Sequence, residues 1–286
     1  MNARWAARRG VRRLGGERGA VSVEAVKNEP GSANTALARR AIALLDLTEL
    51  GDHATDADVV ALCSRAVGRH GTVAAVCVWP RHVALATAQL GGSGVRVATV
   101  VNFPGGDDAI DDVVELARTA MANGADEIDL VLPYRALLAG DSSRPANMVA
   151  ALRGAVDAGD RKTLKVILEA GELVDLDIIR AAAELAIRHG ADFIKTSTGK
   201  TSASASLAAT GVMLTTIRDL DPAVGLKPSG GIRTLADAAA YIAQADKILG
   251  PTWATAATFR FGASGLLTSL EAACDGDINA TSAAAY

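Results

Sequence analysis

Residues 190–200 read GADFIKTSTGK, and residues 224–234 read VGLKPSGGIRT. In each, a short apolar run closes on a lysine, Lys195 in the first and Lys227 in the second, and a polar, glycine-containing stretch follows at once. A lone lysine in such a place usually lays its stem on apolar surface and keeps its charge in water. Two of them ending strand-like runs ask for one explanation, and that explanation depends on how the runs are arranged.

The same pattern extends outward in both directions. From about residue 41, short apolar runs alternate with longer segments of helical spacing. The expected strands are 42–46, 73–78, 95–100, 127–131, 164–169, 192–195, 224–227 and 260–262. Between two of them, DDAIDDVVELARTAMANG carries acids in its first turn and Asn123-Gly124 at its end, the start and stop signals of a helix. DADVVALCSRAVGRHG, LDIIRAAAELAIRHG and TLADAAAYIAQA read the same way. Strands that are apolar throughout imply burial on both faces, as in parallel sheets. Eight strands alternating with helices over about 240 residues predict one (β/α)8 TIM barrel. A doubly wound open sheet is the competitor. Against it, Asp46-Leu47-Thr48-Glu49 follows the first run, where a dinucleotide-binding sheet would place its glycine fingerprint. The barrel is expected over residues 39–274, after a flexible extension at 1–38 and before a flexible tail at 275–286.

Composition agrees with that plan. The chain has 286 residues, 50% hydrophobic but only 3% aromatic, so its core must be built from Ala, Val, Leu and Ile. A net charge of −3 argues against nucleic acid as the main partner. No apolar run approaches the roughly 20 residues of a membrane span. Cys63, Cys77 and Cys274 are odd in number and lack metal-ligand spacing, which points to a reducing cytoplasm. The opening MNARWAARRGVRRLGGERG is arginine-rich and lacks the apolar segment of a secretory signal. It reads as a mobile extension, with an organelle-targeting segment as the alternative.

In a barrel of this kind the active site lies at the carboxyl ends of the strands. The residues there read Asp46, Cys77, Asn102, Asp129, Glu169, Lys195 and Lys227, and Lys165 can point inward from the fifth strand. So many ionisable groups are poor core material unless each is paired or solvated. A salt-bridged plug is the bland reading, but it leaves the glycines that follow unexplained. A lysine at its reference pKa is neutral in only about one molecule in 2,500 at pH 7. Adjacent strands lie roughly 4.8 Å apart, and two ammonium groups about 5 Å apart repel by roughly 3 kcal/mol at an effective dielectric of 20. That lowers one pKa by about 2.4 units, and desolvation adds to it. One lysine becomes available as a free amine for Schiff-base chemistry while the other stays charged. The residues alone leave open which is which. Lys195 is taken as the nucleophile because small polar residues follow it, whereas Lys227 leads into Pro228-Ser229-Gly230-Gly231.

Gly230 and Gly231 after the seventh strand, and Gly262, Ser264 and Gly265 after the eighth, stand where barrels commonly grip phosphate with backbone N–H groups. Thr198 and Lys200 can add a hydroxyl and a cation. Asp129, an acid inside an apolar strand, suits proton relay. Cys77 reads as a small packing residue near the mouth. His53, His70, His82 and His189 fall in loop or helix segments, away from the strand ends, which weakens an isomerase or epimerase reading.

Taken together, LDLT, AVCV, TVVNFP, DEID, FIKTSTGK, KPSGG and RFGAS resemble the deoxyribose-phosphate aldolase family, in order, from about residue 40 onward. The resemblance implies a class I aldolase without metal or other cofactor. It would reversibly cleave 2-deoxy-D-ribose 5-phosphate to D-glyceraldehyde 3-phosphate and acetaldehyde. It implies Lys195 as the Schiff-base lysine, Lys227 as the residue that tunes it and Asp129 as the proton-transfer group, with Asp46 and Cys77 lining the site. It also implies a homodimer or homotetramer. Relatives often carry two serines where this chain has Ser264-Gly265, and the terminal Tyr286 matches a tyrosine that ends many of them. Two other readings remain: a transaldolase-like transferase and a non-catalytic phosphosugar-binding barrel.

Overall fold

The computed structural model describes residues 30–159 and 162–277. The expectations for the two ends of the chain, Tyr286 among them, lie largely or wholly outside these residues.

Eight parallel strands form one sheet: β1 (Leu45–Glu49), β2 (Ala75–Val78), β3 (Arg96–Val101), β4 (Glu127–Val131), β5 (Thr163–Ile167), β6 (Phe193–Lys195), β7 (Gly225–Lys227) and β8 (Phe261–Ala263). They pair in the order β8-β1-β2-β3-β4-β5-β6-β7. Between β7 and β8 the contact is reduced to isolated parallel bridges, Leu226 with Phe259 and Ser229 with Gly262. The Arg260 N–H donates to the Leu226 carbonyl at 3.0 Å, and the Gly262 N–H to the Pro228 carbonyl at 2.9 Å. These close the sheet into the expected (β/α)8 barrel.

Helix α1 (Pro30–Ala43) precedes β1, and α2 (Asp56–Ala66), α3 (Val83–Leu90), α4 (Ile110–Ala122), α5 (Ser143–Asp157), α6 (Leu176–Arg188), α7 (Leu207–Leu220), α8 (Leu235–Leu249) and α9 (Leu266–Cys274) follow β1 to β8 in turn. The sequence explains their starts. Thr55 with Asp58, and Thr234 with Asp237, form reciprocal capping boxes that satisfy the first N–H groups of α2 and α8. Asp175 caps α6 by accepting from the Asp177 and Ile178 N–H groups. Among the described residues, no helix is long and apolar enough to cross a membrane.

Period-two alternation divides the strands. Leu45, Leu47, Val76, Ile128, Leu130, Leu164, Val166, Ile194 and Leu226 belong to the main core, together with helix residues such as Val113, Leu152, Ile179, Met213 and Ile242. The alternate residues face the barrel axis, and their chemistry is different. A small apolar group of Leu50, Cys77, Ala98 and Val100 sits on one side, with Trp79 and Phe103 packed against it. Much of the remaining interior is charged.

Two expectations need revision. The first strand begins at Leu45, because Ile42 is buried in the last turns of α1. Asp46 is therefore the second residue of β1 and lies inside the barrel, below its rim. The helix read through residue 71 stops at Ala66, and Val67–Gly68 pairs with Gly71–Thr72 in a short antiparallel hairpin. With Gly68, Arg69, His70 and Gly71 following, the hydrophobic pattern runs on, but the glycines favour a turn.

Candidate active site

Neighbouring strands hold the key side chains at matched heights. Lys195 on β6 is in register with Lys227 on β7, and Asp129 on β4 with Lys165 on β5. All four are buried. The Lys195 and Lys227 ammonium groups converge on one oxygen, Asp129 Oδ2, at 3.1 and 2.8 Å. Lys165 donates to the other, Oδ1, at 2.7 Å. Below them, Lys227 Nζ lies 2.5 Å from Asp46 Oδ2, and Lys165 Nζ lies 2.6 Å from Glu127 Oε2. Arg260, just before β8, ties the lower carboxylates together, reaching Asp46 Oδ1 at 2.6 Å and Glu127 Oε1 at 2.9 Å.

This network separates the lysines. Burial lowers the Lys195 pKa, the Lys227 charge beside it adds to the effect, and Asp129 offsets only part of the whole. Burial acts on Lys227 in the same sense, but Asp129 and Asp46 outweigh it and raise its pKa far above the usual lysine value. Lys165 is likewise raised, by Asp129 and Glu127 against burial. Burial alone would push Asp129 up, yet Lys165, Lys227 and Lys195 hold it well below the ordinary carboxylate range. The cluster therefore contains one lysine disposed to lose its proton and two disposed to keep theirs.

Gly262 makes this geometry possible. A Cβ there would stand 2.5 Å from Ser229 Oγ and 3.1 Å from Lys227 Cε, so a larger residue would displace Ser229 and crowd the Lys227 stem. Cys77 is buried in the inner apolar group, and burial pushes its thiol up, which makes it an inert wall. Asn102 sits just past β3 and donates from Nδ2 to the Val131 carbonyl at 2.8 Å, away from the lysines.

Above the lysines lies a cavity of about 350 Å³. Gly230 and Gly231 line it from the β7 side, and Gly262, Ser264 and Gly265 from the β8 side, so five residues singled out in the sequence meet in one place. Arg233 and Ser204 line it as well and were missed, Arg233 because it lies beyond the glycines. Thr198 is buried on the loop after β6, and its N–H donates to the Glu169 carboxylate at 3.3 Å. The Lys200 ammonium pairs with Asp52 at 2.7 Å, on the loop after β1. His82 is held by Asp56 and the Ala54 carbonyl, and His189 closes α6.

Sequence reasoning also passed over Glu127 and Arg260. The signal for Glu127 was present: two residues before Asp129 on one strand, it must face the same way. Arg260 gave no such cue, since its partners are 133 and 214 residues away in the chain.

Comparison with known proteins agrees with this geometry. The chain matches the family model described as DeoC/LacD family aldolase over residues 40–272. It is 50% identical over 246 residues to a deoxyribose-phosphate aldolase of Agrobacterium fabrum, covering 86% of this chain and 94% of that one. Among solved structures, one provisionally assigned as a deoxyribose-phosphate aldolase from Toxoplasma gondii ME49 superposes with a TM-score of 0.79 at 27% identity, covering 86% of this chain and 97% of that one. The tetrameric deoxyribose phosphate aldolase from Aeropyrum pernix gives 0.67 at 26% identity, over 84% and 91% of the two chains. Fold, matched family and close relative converge: the chain belongs to the DeoC/LacD family of aldolases.

Proposed function

We propose that this aldolase cleaves 2-deoxy-D-ribose 5-phosphate reversibly to D-glyceraldehyde 3-phosphate and acetaldehyde through a Schiff base on Lys195. The observation that carries the reading is the convergence of Lys195 and Lys227 on a single carboxylate oxygen, at the same end of the barrel as the cavity lined by Gly230, Gly231 and Ser264. The name of the Agrobacterium fabrum relative supports the substrate.

In the cleavage direction the free amine of Lys195 attacks C1 of the open-chain aldehyde to give a carbinolamine. Its hydroxyl leaves as water, with a proton supplied from the charged Lys227 through solvent, and an iminium forms. Asp129, kept ionised by the ammonium groups of Lys165 and Lys227, orients the water that carries the proton of the C3 hydroxyl away to solvent. The C2–C3 bond then breaks. Its electrons move to C2 and neutralise the iminium as an enamine, and C3 to C5 depart with the phosphate as glyceraldehyde 3-phosphate. Protonation at C2 and hydrolysis release acetaldehyde and regenerate the amine. The iminium is the electron sink throughout. Glycine N–H groups and Ser264 hold the phosphate, and Arg233 adds a cation beside it. As a whole, the reading includes a homo-oligomer, supported by the tetrameric Aeropyrum pernix relative, and a cytoplasmic setting, supported by three free cysteines.

Borohydride reduction in the presence of 2-deoxyribose 5-phosphate or acetaldehyde, followed by peptide mass mapping, tests it. The expected result is a reduced two-carbon adduct on Lys195 with acetaldehyde. An adduct on Lys227 would reverse the roles of the lysines, and no adduct on folded protein would leave a phosphosugar-binding barrel as the better reading.

A further inference from the structure

The lower end of the barrel carries charges that this chemistry leaves idle. Arg260 is buried there, with Asp46 on β1, both oxygens of Glu127 on β4 at 2.9 and 3.3 Å, and the Phe193 ring of β6 at 5.6 Å around its guanidinium. Arg260 and Glu127 also line a second cavity of about 840 Å³, bounded by Arg96, Lys162 and Asp192. Its walls are the residues at the amino ends of the strands, so it opens at the mouth opposite the phosphate cavity.

Two chains of contacts run from this floor to Lys195. Asp46 joins Arg260 to Lys227, which shares Asp129 Oδ2 with Lys195. Glu127 joins Arg260 to Lys165, which holds the other oxygen of Asp129. Thus Lys165, Lys195, Lys227 and Arg260 contact three carboxylates, Asp46, Glu127 and Asp129. A guanidinium does not give up its proton in proteins. Lys165 and Lys227 each rest on at least two carboxylates, whereas Lys195 has a single contact at 3.1 Å. When the cluster sheds a proton, Lys195 is the member that loses least.

We propose that Arg260 and Glu127 are positioning residues whose fixed charges, at the end of the barrel the substrate never enters, set the pH at which Lys195 becomes a free amine. This rests on the Schiff-base reading above. Four other ionisable groups face Lys195, namely Asp129 and Lys227 of the cluster, Cys77 on β2 and Glu169 after β5, while Lys165 holds the far oxygen of Asp129. Burial moves Cys77 and Glu169 toward their neutral forms, and neither touches Arg260 or Glu127.

The test is the pH dependence of acetaldehyde trapping on Lys195 by borohydride, in the full-length protein and its variants. A unit charge on the order of 10 Å away, at an effective dielectric of about 20, moves a pKa by about one unit. Arg260→Met is expected to raise the midpoint by about that much, and Glu127→Gln to lower it. The double variant, which removes one charge of each sign, should return near the native midpoint, and Arg260→Lys should keep it. If Arg260→Met fails to fold, Glu127→Gln and the double variant still decide. Adduct formation with unmoved midpoints, or shifts of the same sign in both single variants, would overturn the inference alone. No adduct in the native protein would overturn the Schiff-base reading and this inference with it.

Discussion

Lys227 touches two carboxylates and stands in register with Lys195 on β6. Replacing it with methionine removes the like charge that discourages protonation of Lys195. The repulsion estimated for two ammonium groups about 5 Å apart is worth about 2.4 pKa units. Lys227→Met is therefore expected to lower kcat/KM at pH 7 by about 100-fold, with partial recovery as the pH rises past 9, when deoxyribose 5-phosphate cleavage is followed across pH. Lys195→Met should show no recovery at any pH. Had Lys227 served only as packing, its variant would lose activity equally at every pH. At this scale the two lysines and Asp129 were readable in the sequence, since a charged residue inside an apolar run is conspicuous. The hidden members were those whose meaning depends on strand register. Arg260 reads as the polar start of a strand until β8 is laid beside β1, and Lys200 reads as a phosphate cation until the loop holding Asp52 is seen next to it.

Among the elements, β6 and β7 are three residues each, and their fit is tight. The Phe193 ring lies across Gly225, where a Cβ would come within 2.2 Å of Phe193 Cε1. Phe193 also faces the Arg260 guanidinium, so it has little room to retreat. Gly225→Ala is expected to destabilise the fold by about 1–3 kcal/mol, the usual cost of overpacking. The midpoint of urea unfolding measures this, and pairing the change with Phe193→Leu should recover part of the loss. Most elements were legible because short apolar runs give way to longer segments of helical spacing. β4 emerges with both its limits as read. The beginning of β1 did not, because Ala41, Ile42, Leu44 and Leu45 are all buried and an unbroken apolar run does not mark where a helix stops.

For the molecule as a whole, the buried charges tie stability to pH. Burial alone would raise Asp46 and Asp129, but their cationic neighbours hold both folded pKa values below those of the unfolded chain. The stability they contribute is complete above about pH 4 and is lost as the pH falls toward the folded values. Lys165 and Lys227, raised in the fold, contribute below about pH 10 and lose that contribution as the pH climbs through their folded values. Lys195 runs the other way: its folded pKa is lowered, so holding its proton is a burden that eases with rising pH. Urea midpoints should fall steeply below about pH 4. Asp46→Asn should be less stable at pH 7 but lose less on acidification. One consequence follows from the way the barrel closes. Seven of its joints are continuous ladders, and the eighth, between β7 and β8, is held by bridges at Leu226 and Ser229. The cavity lined by Gly230, Gly231, Gly262 and Gly265 straddles that joint, with one glycine cup on each side. If the proposed substrate phosphate seats there, it is a rivet through one stave of a cask, joining β7 to β8 where the backbone ladder gives only isolated bridges.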